Sequence, residues 1–322
     1  MSSTVRTIGE RGIIDRVRRR VGRGTSSVLV GIGDDAAVLR SPARGAGGRG
    51  ERLLFASDML VEGIHFRRRL VPAEWIGWKA LACNVSDIAA MGGIPRWAVA
   101  SVGLPRATPV RFVDGLASGL SRCARRFGVS LVGGDTVRAP QVVVDVAILG
   151  TVRPQQLTLR SGARVGDQLF VTGRLGGSYA SGRHARFTPR LAEAQRLIRR
   201  VRVRAMIDLS DGLASDLWQM SRASRVVLRL EAQTVPQKVS DTFPALKGVR
   251  HLSSGLWHAL MDGEDFELLF AVGPRDAARV PVRLGDVPVT QIGAAARRGV
   301  GVELVQPDGR VTPLIPRGFR HF

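Results

Sequence analysis

Cysteine, lysine and aromatic residues are all scarce in this chain. Cys83 and Cys123 are the two cysteines in 322 residues, too few for a disulfide framework or a cysteine-based zinc site. Lysine occurs at Lys79, Lys238 and Lys247 alone, so arginine carries nearly all the positive charge. Aromatic residues make up 5%, few for a surface that stacks nucleic-acid bases. No apolar run reaches the roughly 18 residues that span a bilayer. The longest, near Val142 to Val152, is broken by Asp145. The opening MSSTVRTIGERG is polar where a signal peptide needs an apolar core, so a cytoplasmic protein without a membrane segment is expected. The common nucleotide loops are missing too. Nothing matches GxxxxGK[ST], the protein-kinase glycine loop and HRD set, or GxGxxG after a strand.

The rest of the composition is that of a folded protein, 44% hydrophobic and 23% charged. The formal net charge of +21 makes nucleic acid the first partner to weigh. Arginine is spread along the whole chain, however, and no helix-turn-helix or zinc pattern accompanies it, so that reading stays secondary. The length suits two domains. A new unit opens at Arg160-Ser161-Gly162-Ala163, which places the boundary near residues 152 to 158. The expected domains are residues 1–155 and 156–322.

Periodicity predicts strands at Ser27–Ile32, Ala36–Arg40, Leu53–Ala56, Trp97–Leu104, Val129–Val132 and Gln141–Val152. Helical spacing predicts Glu74–Met91 and Pro109–Phe127, with a Gly-rich loop over Pro42–Gly50. The second half predicts strands at Gln168–Thr172, Ala205–Asp208, Leu268–Val272 and Val289–Ile292, and helices at Arg190–Arg199 and Leu213–Ser224. Mixed elements in two similar halves indicate α/β or α+β architecture.

Small-residue turns displaying an aspartate recur. They are Gly33-Asp34-Asp35, Ser57-Asp58, Gly133-Gly134-Asp135-Thr136 and Asp208-Leu209-Ser210-Asp211-Gly212. Asp87 adds a carboxylate to an apolar-striped helix, and Gly263-Glu264-Asp265-Phe266-Glu267 precedes a strand. Gathered carboxylates repel unless protons or cations sit among them. Mg²⁺ takes hard oxygen ligands completed by phosphate, and glycine turns let backbone N–H groups approach an anion. The set therefore suits a magnesium–nucleotide site. Taken singly, each turn also has an ordinary reading: Ser210 or Asp211 as a helix cap, Asp34-Asp35 as a solvated corner, His65 as a packing residue, Lys79 as a helix-surface charge. Asp87 is the exception, because an aspartate among apolar residues needs a partner.

Eight blocks in order carry a resemblance over nearly the whole chain: GIGDDAAVL (31–39), SDMLVEGIHF (57–66), KALACNVSDIAAMGG (79–93), GGDT (133–136), LRSGARVGD (159–167), AMIDLSDGLASDL (205–217), GEDFELLF (263–270) and GFRHF (318–322). Together they resemble the thiamine-monophosphate kinases of the aminoimidazole ribonucleotide synthetase-like superfamily. The resemblance implies ATP-dependent phosphorylation of thiamine monophosphate to thiamine diphosphate with several Mg²⁺ ions. It implies a homodimer whose N-terminal domains pair through a β-barrel, with the α/β layer over the nucleotide cleft. By position, Asp35, Ser57, Asp58, Asp87, Asp135, Asp208 and Asp211 correspond to metal ligands, with Asp87, Asp135 and Asp208 catalytic. Gly134, Asp135, Arg160 and Ser210 correspond to ATP contacts, and His65 and Glu264 to substrate contacts.

Three departures from the family pattern stand out. Ala56 replaces a serine ligand, Pro316 falls where an aromatic is often found, leaving Phe319 or Phe322 as the candidates to replace it, and the lid segment Gly176–Phe187 is short. Relatives with other chemistry fit less well. No cysteine precedes Cys83, as selenophosphate synthetase chemistry needs, and the chain ends His321-Phe322 rather than in the cysteine of hydrogenase maturation. A purine-pathway synthetase is the nearest alternative, and a basic nucleic-acid-binding protein the more remote one.

Overall fold

The computed structural model describes residues 4–21, 24–41, 50–238 and 254–317. The Gly-rich residues 42–49 and the terminal block with Phe319 and Phe322 lie outside the described residues. The first half contains α1 (Val5–Val21), β1 (Val28–Val30), β2 (Ala37–Arg40), β3 (Arg52–Val61), α2 (Ala73–Ala90), β4 (Ile94–Leu104), α3 (Val110–Phe127), β5 (Ser130–Arg138) and β6 (Val143–Val152). The second contains β7 (Gln168–Thr172), α4 (Leu191–Arg200), β8 (Val203–Asp208), α5 (Leu213–Ser224), β9 (Val226–Glu231), α6 (Ser254–Met261), β10 (Leu268–Val272), α7 (Pro274–Ala277), β11 (Arg283–Leu284), β12 (Val287–Arg298), β13 (Gly301–Val305) and β14 (Val311–Pro313).

The first sheet runs β1-β2-β3-β6-β4-β5, mostly antiparallel, with a parallel β4–β5 pair at one end. Strand alternation sorts β3 into an inner row, Leu54, Ala56, Asp58 and Leu60, and an outer row, Phe55, Ser57 and Met59. The inner row packs on α2, which is buried almost all round (Ile76, Leu81, Val85, Ile88), and α3 lies against α2. Two glycines permit that approach: a Cβ on Gly77 or Gly119 would meet backbone oxygen within 2.0 Å. Among the described residues nothing covers the outer row, and Phe55, Met59, Trp97 and Val99 are exposed.

The second sheet runs β14-β13-β9-β12-β7-β10-β8, with β11 beside β12. Helices α5 and α6 share an apolar core with it (Leu213, Leu217, Leu228, Leu256, Ala259). Helix α4 (Ala194, Leu197) joins a further cluster with Phe170 and Phe270 that also takes in Ala89 and Ala90 of α2. The same helix therefore meets both sheets.

Several expectations need correction. Asp58 is not in a turn after a strand but inside β3, and Gly133 to Thr136 continue β5 rather than breaking it. A β-bulge opposite Ala98 and Val99 leaves Val132 as the extra residue, and Gly133 and Gly134 stay in register with Val99 and Ala100. Lys79 is not a surface charge; it is fully buried. In the single chain the first sheet is open. Helix α1 and strands β9, β13 and β14 were not read from the pattern at all.

Candidate active site

Three carboxylates from distant parts of the chain converge. One oxygen each of Asp35, Asp87 and Asp208 lies within 4.8 Å of the others. Asp35 comes from the turn before β2, Asp87 from α2, and Asp208 from the end of β8. Asp58, on the inner row of β3, lies close enough to Asp87 for a hydrogen bond when one of the two is protonated. The Ser86 hydroxyl donates to Asp208 Oδ2 at 2.6 Å.

Burial makes this group uncomfortable as anions. Desolvation first, and neighbouring carboxylates second, lift the Asp87 carboxyl well above its ordinary value. Burial and then Asp35 bring Asp208 to about 8. Burial carries Asp58 to about 6, against the hydrogen bond from Asp87, while Asp145 adds repulsion. Burial also raises Asp35, against the pull of Arg160. Asp35 Oδ1 accepts from Arg160 Nε (3.0 Å) and Nη2 (2.6 Å), while its Oδ2 is buried with no hydrogen-bond partner among the described residues. A buried carboxylate oxygen left unpaired is costly, and a hard divalent cation is the partner that fits an all-oxygen donor set.

Around this centre the other sequence-predicted residues take different places. Asp34 is no solvated corner: its carboxylate accepts from the Arg160 N–H at 3.1 Å, and burial followed by repulsion from Asp35 lifts it to about 7. Arg160 reaches Gln219 Oε1 through Nη1, so one guanidinium links the Asp34–Asp35 turn to α5. Asp211 accepts from Gln219 Nε2 at 3.1 Å, and Ser210 offers its carbonyl to the Glu264 N–H at 2.7 Å. His65 Nδ1 accepts from the Val61 N–H at 3.0 Å, which puts the proton of the neutral ring on Nε2.

Ser57, Asp135 and Gly134 stand apart from the three converging carboxylates. Ser57 points to the outer face, where its hydroxyl donates to Asp145 at 3.0 Å. Asp135 shares that row through the register Met59–Asp145–Ser101–Asp135, on the exposed edge strand, and accepts from the Thr136 N–H. Gly134 is needed for strand contact, since a Cβ there would sit 1.8 Å from the Ala100 carbonyl oxygen.

Sequence reasoning missed several participants. Asp216, fully buried on α5, accepts from the Asp211 N–H and from Gln219, and so shapes the Ser210–Gly212 loop. In the Gly263–Glu267 block, Asp265 and Glu267 serve internal pairs. Asp265 meets Arg183, Ser178 and the Gly176 N–H, and Glu267 meets Arg190 and Thr172. These bonds pin the short Gly176–Phe187 segment, and Phe187 stacks on Phe266 with centroids 3.9 Å apart. The excess of arginine near buried acids was the available signal, but spacing does not reveal which pairs form.

Residues 33–152 match the family described as AIR synthase related protein, N-terminal domain. The chain is 38% identical over 303 residues to the thiamine-monophosphate kinase of Rhodopirellula baltica, covering 93% of each. It is 33% identical over 321 residues to that of Bacillus subtilis, covering 92% of this chain and 94% of the relative. Among solved structures, AaThiL complexed with AMPPCP and TMP superposes with a TM-score of 0.81 at 28% identity, covering all of both chains. Hydrogenase maturation protein HypE in complex with ATP shares the fold, with a TM-score of 0.68 at 17% identity over 87% of this chain and 88% of that one.

Proposed function

The chain belongs to the thiamine-monophosphate kinase family, and on that premise we propose that it transfers the γ-phosphoryl group of ATP to thiamine monophosphate, giving thiamine diphosphate and ADP. The observation that carries this reading is the convergence of Asp35, Asp87 and Asp208 within 4.8 Å, with one Asp35 oxygen buried and unpaired. Such a centre serves two anionic reactants that repel each other, and phosphoryl transfer asks chiefly for positioning and charge neutralisation.

Magnesium would be held by Asp35, Asp58, Asp87 and Asp208, extended by Asp211, while Ser57 and Asp135, on the outer face of the first sheet, would hold a separate ion. Bound there, Mg²⁺ offsets the negative charge of donor and acceptor phosphates. The chain's own groups do the rest. Arg160 presents a guanidinium beside Asp35 for the triphosphate, and Gly134 and Ser210 line the nucleotide path. The N-terminal end of α5, just beyond Ser210, favours an anion. His65 offers Nε2–H and Glu264 a carboxylate to the thiamine portion. The acceptor phosphate is ionised near neutral pH, so its oxygen attacks in line without a strong general base. Residues 1–155 supply most metal ligands, and residues 156–322 close the cleft through Arg160, Asp208 and Glu264.

We further infer a homodimer. Every residue of β5 is exposed, its outer edge is unpaired among the described residues, and the adjoining outer row exposes Phe55, Met59, Trp97 and Val99. A second copy covering this face would bring the strands toward the barrel expected from the sequence. A cytoplasmic location fits the use of ATP, and no helix among the described residues is long and apolar enough to cross a membrane.

Coupled ADP release tests the reading. Turnover is expected with thiamine monophosphate and not with thiamine or aminoimidazole ribonucleotide precursors. Absence of turnover with thiamine monophosphate, or preference for an aminoimidazole precursor, overturns it.

A further inference from the structure

Lys79 is a buried lysine that the phosphoryl-transfer centre leaves unused. Its side chain is 1% exposed, on a helix whose other inward positions are mostly apolar. A buried ammonium is retained only where it is well partnered. Its Nζ donates to the His65 carbonyl oxygen at 2.9 Å and to Glu264 Oε1 at 2.5 Å. The first partner belongs to the loop after β3. The second lies 185 residues beyond Lys79, in the loop before β10.

We propose that Lys79 is a positioning residue for the acceptor: its ammonium fixes the His65 main chain and the Glu264 carboxylate as one unit that recognises the thiamine portion of the substrate. The inference rests on the function proposed above and deepens it. Glu264 keeps 23% of its side-chain surface open while Lys79 grips one oxygen, so the carboxylate is both anchored and accessible. Its backbone sits at φ 64, unfavourable for a residue with a Cβ, and its N–H is tied to the Ser210 carbonyl. Strain held in place by surrounding bonds is a mark of a preset group. A carboxylate placed there complements the positive charge of a thiazolium ring.

The helix supplies the scale. Lys79, Cys83 and Asp87 are spaced by four along α2 and share one face. Asp58, Lys79, Glu264 and Asp87 are the charged groups around Cys83 between them. Lys79 and Asp87 are separated by about 12 Å of helix rise. The Lys79 end of the helix carries the partly open Glu264 carboxylate for the ring, and the Asp87 end carries the carboxylates that face the phosphate.

Steady-state kinetics of Lys79→Met, Lys79→Arg and the double variant Lys79→Met with Glu264→Gln, varying each substrate in turn, test the assignment. Lys79→Met should raise KM for thiamine monophosphate by roughly 30-fold or more while KM for ATP stays within about twofold, because a desolvated partner is lost only on the acceptor side. Lys79→Arg should fall between, since its planar fork keeps the charge but not the shape. The double variant leaves no unpaired buried charge and should keep the acceptor-specific defect. If Lys79→Met does not fold, the double variant and Lys79→Arg report the same split. An equal rise in both KM values, or an unchanged KM for thiamine monophosphate, overturns the inference. A wild-type enzyme inert toward thiamine monophosphate would instead overturn the function.

Discussion

The Ser86 hydroxyl meets Asp208 Oδ2 at 2.6 Å, with both groups buried, and the bond spans 122 residues of sequence. It joins α2 to the end of β8 and aims one carboxylate at the other two. Partners that orient metal-binding groups typically matter ten- to a hundred-fold in metal affinity. Ser86→Ala should therefore raise the Mg²⁺ concentration for half-maximal activity by roughly tenfold or more, with little change in KM for thiamine monophosphate. An unaltered magnesium requirement would show that Asp208 holds its place without this hydroxyl.

Asp87→Asn separates function from stability. Asp58, Asp208 and Asp35 all oppose ionisation of the half-buried Asp87 carboxyl. Neutralising it should lower turnover by roughly a thousandfold or more, in line with the loss of a preorganised electrostatic group. The same change removes repulsion from the metal-free fold, so Tm at pH 8 should rise by about 2 °C or more. Near-normal turnover in the variant would exclude Asp87 from the chemistry.

Regular elements were readable where one period ran long enough. Helices α2 and α3 and strand β10 follow from their apolar patterns almost to the residue. The ordered blocks around Asp35, Asp87 and Asp208 pointed to residues that do converge. Strand interiors carrying Asp58 and Gly133–Thr136 were read as turns because glycine and aspartate are turn-formers locally, and sheet pairing overrides that preference. Lys79 looked like a surface charge because nothing nearby in sequence pairs with it; its partner is Glu264. Helix α1 has no buried residue and so leaves no apolar stripe to read. Long-range ion pairs such as Arg190–Glu267 and Arg204–Asp167 have no local signature at all.

Magnesium should stabilise the protein more at high pH than at low. Asp58, Asp34 and Asp208 titrate in the fold near about 6, 7 and 8, against about 4 in an unfolded chain. A carboxyl with a raised folded value holds its proton more tightly when folded. Its contribution to stability is therefore fully present below about pH 4 and is lost as pH climbs through the folded values. A cation replaces those protons. The Tm gain produced by Mg²⁺ should thus be small at pH 5.5 and several degrees larger at pH 8. Equal gains at the two pH values would mean the ion binds elsewhere.

The outer edge of the first sheet predicts the oligomeric state. On β5, Val132 and Val137 are 62% and 55% exposed in the single chain, next to an outer row bearing Met59 and Trp97. A nine-residue strand with one unpaired edge and an apolar flank invites pairing with a second copy. The wild-type protein should therefore sediment as a dimer of 34.7 kDa chains. Val137→Asp places a charge on that edge without touching the core, so the single chain should lose no more than about 0.5 kcal/mol. The dimer would have to bury the same carboxylate, which costs far more than it returns. Sedimentation of Val137→Asp at micromolar concentration should show monomer with native circular dichroism. A variant that remains dimeric would move the interface off β5, and a monomeric wild type would remove it.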